Sequence, residues 1–144
     1  MSKKNGFTLV ELMVVIVIIG ILAAVAVPRV MAAVDRARLA EGPQTLRAIA
    51  TGQEVIRVEN GEYATTFGPD LGIGPAGLET FTTSNWEYVL DATAAEFTAT
   101  AILQRSVNIR GVPAASDDEL RIDHEGLRIA TGGLINLVDG WNAQ

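Results

Sequence analysis

The sequence has no cysteine and one histidine, and lysine occurs only at Lys3 and Lys4. Without cysteine there is neither a disulfide framework nor thiolate chemistry, and the redox compartment is left open. The histidine, His124, stands in the turn-like tetrad Asp123-His124-Glu125-Gly126, with no second histidine and no Gly-x-Ser-x-Gly anywhere in the chain. That excludes a zinc site and a nucleophilic triad and reads as a solvated turn histidine. With a net charge of −6, the chain beyond Lys4 is acidic and lysine-free. It lacks a basic stripe, so nucleic acid is not an expected partner. Aromatics make up 6% of the residues, and Phe7 is the only one before Tyr63.

Apolar side chains are plentiful, at 49% of 144 residues, and they are concentrated. From Phe7 to Val27 only Thr8, Glu11 and Gly20 interrupt them. As a helix this run is about 30 Å long, the thickness of a bilayer's hydrocarbon core. Lys3 and Lys4 precede it and predict that the head of the chain stays cytoplasmic, with the remainder outside. The total length allows one modest globular domain plus this appended segment.

An ordinary secretory signal has a shorter apolar core that is discarded after a small-residue site. Ala23, Ala24 and Ala26 could imitate one, but here the run is long and a helical pattern continues past it. A carboxylate inside a membrane span is costly and marks a functional position with a partner. Glu11 also admits a plainer reading, as a first-turn acid eased by the helix dipole.

Gly6-Phe7-Thr8-Leu9-Val10-Glu11-Leu12, followed by Met13 to Val27 and Pro28, resembles the precursor signature shared by type IV pilins and type II secretion pseudopilins. The resemblance implies cleavage between Gly6 and Phe7 by a membrane prepilin peptidase, then N-methylation of Phe7. It also implies that Glu11 pairs with the Phe7 amine of a neighbouring subunit. By the same resemblance the chain is a non-enzymatic, cofactor-free structural subunit. It would pass once through the bacterial inner membrane with its head periplasmic, and an assembly ATPase machine would then extract it into a helical homo- or hetero-filament.

Beyond Pro28 the pattern becomes amphipathic, with Leu39, Leu46, Ile49 and Ile56 spaced as a helix seam and charges on the other faces. Pro28 and Pro43 each remove a backbone donor, so kinks or breaks are expected there. The resemblance implies unwinding from Gly20 to Pro28 in a filament, and Gly42-Pro43 is a second interruption. Asn60-Gly61 ends the helix, and Ala64 to Ser84 reads as a long surface loop. Tyr63 just before it, with Phe67 and Phe81 within it, serves either a lateral contact or anchorage to the chain's own core. Alternation then predicts strands at Trp86–Leu90 and Phe97–Leu103, and further strands at Leu120–Ile122 and Leu127–Ile129. The expected fold is α+β, a long helix packed on a small antiparallel sheet. Its segments are a leader (1–6), a membrane and assembly half-helix (7–28), an amphipathic half-helix (29–60) and a loop-and-sheet head (61–144).

Asp117, Asp118 and Asp123 are weak calcium candidates, oxygen donors without EF-hand spacing. Asn60-Gly61-Glu62-Tyr63 with Thr65-Thr66 is similar to the post-helix segment of major pseudopilins, yet their Asp-Pro-Trp-Gly segment is missing. So is the cysteine-bounded loop of many type IV pilins. Two functions therefore stand side by side, a surface pilus subunit and a periplasmic pseudopilin of type II secretion. A membrane-anchored binding module that never polymerises is a third, but it gives no reason for Glu11 or for Gly6-Phe7. Sortase-linked pili are disfavoured, because the exported part has no lysine to form an isopeptide.

Overall fold

The computed structural model describes residues 6–109 and 111–143; the first five residues of the leader, with Lys3 and Lys4, lie outside that range. The chain falls into two units, one up to Val34 and one from Asp35 onward.

Helix α1 is Leu9–Asn60. In the first unit its large apolar side chains are all exposed, Leu9 and Ile16 by 73% and 64%. A helix apolar on every side belongs in lipid or in a bundle, and α1 is long and apolar enough to cross a membrane. No break occurs at Pro28 or at Gly42-Pro43, contrary to one of the outcomes expected there. The packing around Pro43 shows why. Pro43 lacks the N–H that would bond the Leu39 carbonyl, but Gly42 lets the Trp86 ring lie flat against the helix. A Cβ at Gly42 would come within 2.7 Å of that ring. The Trp86 indole Nε1 donates to the Arg38 carbonyl at 2.7 Å, which pins this stretch of helix to the sheet.

The second unit is built on a six-stranded sheet. It comprises β3 (Thr80–Thr82), β4 (Trp86–Ala92), β5 (Phe97–Leu103), β8 (Glu119–Asp123), β9 (Arg128–Ala130) and β10 (Asn142–Ala143). Their order is β10-β9-β8-β5-β4-β3, antiparallel except for the parallel β9–β10 edge. In β4 and β5 buried residues strictly alternate, and Trp86, Tyr88 and Leu90 lie opposite Leu103, Ala101 and Ala99. Leu39, Leu46, Ile49 and Ile56 of α1 join the same core. The predicted seam and both central strands are therefore the packed face of an α+β fold. Gln53, also buried, uses both ends of its amide on Ala64, donating to the carbonyl at 2.7 Å and accepting from the N–H at 2.8 Å. This fastens the chain leaving α1 back onto the helix.

The segment expected as a loop to Ser84 instead forms β1 (Phe67–Gly68), β2 (Ile73–Leu78) and the edge strand β3. Strand β2 pairs with β1 but carries positive-φ Gly74 and Gly77 and has no buried-exposed alternation, so it leaves no period-two signal. Gly74 is needed where it stands, since a Cβ there would meet the Phe81 ring at 2.9 Å. Phe81 stacks on Tyr88 with centroids 4.9 Å apart and meets Phe67 edge-on at 4.8 Å. These aromatics anchor the segment to its own core. After the β6–β7 hairpin (Val107–Ile109 and Val112–Ala114), the short helix α2 (Leu134–Leu137) and β10 complete the chain. Neither α2 nor β10 is foreshadowed by periodicity, and Trp141 is buried between them.

Tyr88 is fully buried, and its hydroxyl, beside Thr45, makes no hydrogen bond of normal geometry. Burial pushes the phenol up from 10 to about 12, and the Glu41 carboxylate adds to the rise. The unfolded chain then loses this proton at a lower pH than the folded one, so stability is fully present below pH 10 and falls as pH rises towards 12. Melts of the full chain in detergent should show that fall. Tyr88→Phe should flatten it without destabilising the chain at neutral pH, because it deletes an unpaired buried hydroxyl and leaves the ring.

Candidate processing and assembly site

The candidate site lies where α1 begins. Gly6, Phe7 and Thr8 precede the helix, and Thr8 caps it. The Thr8 hydroxyl accepts from the Glu11 N–H at 3.3 Å, while the Thr8 N–H and hydroxyl both donate to Glu11 Oε2, at 2.8 and 2.7 Å. This reciprocal exchange is a capping box, which satisfies backbone donors that the first turn of a helix leaves orphaned. The plainer reading of Glu11 is thus realised in the isolated chain. It leaves Oε1 free: among the described residues nothing bonds to it. The arrangement holds the carboxylate at the helix N-terminus, close in sequence to Phe7, with one oxygen available to a cation. Thr8 is the member of this site that the functional reading of the sequence passed over. Its signal was present as Thr8-Leu9-Val10-Glu11, a threonine followed three residues later by glutamate and then by an apolar run.

Gly6 is open on all sides, so a Cβ there would meet nothing within 4 Å. Gly20 is equally open. Neither glycine is required by the packing of its own chain.

A model of the prokaryotic N-terminal methylation motif matches residues 1–27. Similarity extends well beyond it: the type IV major pilin protein PilA of Myxococcus xanthus is 32% identical over 119 residues, which is 83% of this chain and 51% of that protein. The chain carries the N-terminal methylation motif and is a homologue of type IV pilins and type II secretion core proteins. Type II secretion system core protein G of Pseudomonas aeruginosa is 42% identical over 64 residues, covering 44% of this chain and 45% of that protein. Prepilin peptidase-dependent protein D of Escherichia coli is 41% identical over 73 residues, 51% of this chain and 50% of that protein. The chain spans about half the length of these relatives. These names are those of a major pilin, a core protein of a secretion system and a protein that depends on a prepilin peptidase, and in this pilin-like chain the exposed apolar helix is suited to a membrane anchor.

The calcium candidates of this pilin-like chain are not brought together. Asp118 Oδ2 accepts from the Ala115 and Gly133 N–H groups at 3.0 and 2.8 Å, tying the strand entry to the Gly132-Gly133 turn. Asp123 Oδ1 accepts from Glu125 and Leu127 at 3.0 and 2.9 Å, shaping the β8–β9 turn. Asp117, immediately before Asp118, holds a positive φ. Among the described residues no three acids or histidines are grouped to hold a metal ion. His124 sits in the predicted turn, half-buried, with its ring 6.5 Å from that of Tyr63.

Proposed function

We propose that the chain is the subunit of a type IV pilus, cut between Gly6 and Phe7 by a prepilin peptidase, N-methylated on Phe7 and polymerised through the apolar half of α1. The observation that carries this reading is a helix whose first unit exposes every large apolar side chain, headed by a glutamate that keeps one carboxylate oxygen free. Such a surface has two stable surroundings, lipid before assembly and other copies of the same helix afterwards. Gly20 and Ala24 supply small residues for close helix approach. In the filament the Glu11 carboxylate meets the Phe7 amine of the adjoining subunit. The segments fall as a leader to Gly6, a membrane and assembly half-helix to Pro28, an amphipathic half-helix to Asn60 and the sheet-bearing head. Gly20 to Pro28 is where the helix yields when subunits pack. The precursor resides in the inner membrane with its leader cytoplasmic, and its partners are the peptidase, the pilus assembly machinery and further copies of itself.

The second reading is a type II secretion pseudopilin, favoured by the 42% identity to core protein G. The pilus is preferred because the similarity to a pilin reaches over 83% of the chain, whereas that to core protein G covers 44%. The test is to shear host cells and examine the released fraction by immunogold electron microscopy. Labelled surface filaments support the pilus. Label confined to the periplasm, with secretion lost when the gene is deleted, supports the pseudopilus, and a chain that stays monomeric in the membrane overturns both.

A further inference from the structure

In the second unit a groove of about 540 Å³ lies between α1 and the later segments of the chain. Leu39 and Pro43 of α1, Val112 of β7 and Leu137 of α2 give it apolar walls, Arg36 and Arg47 line it from the helix, and Asp139 is the single acid against these two cations in its lining. These two arginines are eleven positions apart, about 16 Å along the axis. Both are exposed, and neither guanidinium has an ion pair or hydrogen bond among the described residues. An apolar trough flanked by unpaired cations fits an apolar side chain carried beside a carboxylate.

The same unit presents that combination at its other end. The β8–β9 turn lies beside the C-terminal end of α1. The His124 N–H donates to the Phe97 carbonyl at 3.1 Å, the Phe97 ring packs on Tyr63 at 5.0 Å, and the Tyr63 hydroxyl donates to Glu54. Leu127 stands 48% exposed on this turn next to exposed Glu125. The surroundings are acidic: Asp91, Glu96 and Asp123 line one cleft with His124, and Glu59 and Glu62 are exposed at the C-terminal end of α1. Measured along α1, the groove and this end are about 25 Å apart.

We propose that the groove receives the Glu125–Leu127 turn of a second copy of this chain, with Leu127 against the apolar walls and Glu125 beside Arg47. The inference rests on the filament reading above and names the contact between heads. Because the two surfaces differ and lie at opposite ends, the contact is heterologous and propagates as an open polymer instead of closing a dimer. It also brings opposite charges together in an assembly of chains that, once cut before Phe7 and so without Lys3 and Lys4, each carry −6 − 2 = −8 and would otherwise repel.

A chain without cysteine allows a direct test. Filaments of the Val112→Cys/Leu127→Cys variant, treated with a mild oxidant, should give a ladder of covalent multimers that collapses on reduction, while either single variant should give none. In parallel, Arg47→Glu should lower filament yield about tenfold, and adding Glu125→Arg should restore it, as expected when a charge pair is inverted across an interface. Filaments of the double cysteine variant that remain monomeric on oxidation overturn the contact. If the cysteine variants do not assemble, the charge pair decides, and failure of Glu125→Arg to restore Arg47→Glu overturns it. Absence of filaments from the unsubstituted chain overturns the filament reading itself, and this contact with it.

Discussion

Glu11→Val is expected to abolish filaments while leaving the subunit processed and inserted in the membrane. Two opposing terms act on the monomer. Removing the carboxylate breaks the capping box, at a cost of about 1 kcal/mol. Removing a charge from a membrane span returns about 2.5–3.5 kcal/mol near its centre, and less near its end. Insertion is therefore no worse than before. Assembly loses far more, because the incoming Phe7 amine enters an apolar bundle without a counter-charge, a penalty of about 3–5 kcal/mol. At about 1.4 kcal/mol per tenfold, that is at least a hundredfold loss of polymer. Glu11→Gln separates the two roles. Glutamine keeps the reciprocal bonds to Thr8 but has no charge, so it should restore the cap and not the filaments. Immunoblots of membrane and sheared fractions decide the matter. Wild-type filament yield from Glu11→Gln would reduce Glu11 to a helix cap.

Gly6→Val should leave nearly all of the chain as uncleaved precursor in the inner membrane. The space around Gly6 is empty, and an added Cβ meets nothing within 4 Å. The fold has no use for this glycine, so a valine costs the chain nothing, and loss of processing would report the close backbone approach that the peptidase needs. Gly6→Ala should be cut slowly, since its single methyl obstructs least. Circular dichroism of the purified precursors should be unchanged, with the cleaved fraction falling from glycine to alanine to valine. Normal processing of Gly6→Val would remove Gly6 from the site.

The helix seam and the two central strands were legible because burial there follows a fixed period. Leu39, Leu46, Ile49 and Ile56 keep to one helix face, and Trp86 to Leu90 and Phe97 to Leu103 alternate without exception. Residues 64–84 were not legible, because β1 and β2 are held by glycines at positive φ and by three packed rings, and neither device leaves a period. Pro43 suggested a possible break because its missing donor is visible in the sequence. What sustains the helix, the Trp86 bond to Arg38, joins residues 48 positions apart and is not visible there. At the candidate site Gly6 and Phe7 were singled out by the resemblance to the precursor signature, and Glu11 by its charge inside an apolar run. The use of one Glu11 oxygen by Thr8, with the other left free, needed coordinates.

The central claim, that this chain is cut at Gly6–Phe7 and polymerised, is tested most directly by the mass of the N-terminal peptide from filaments sheared off the native host. The account predicts a peptide that begins at Phe7 and carries one methyl group on its amine. A peptide that begins at Met1, or after one of the alanines near residue 24, would contradict it.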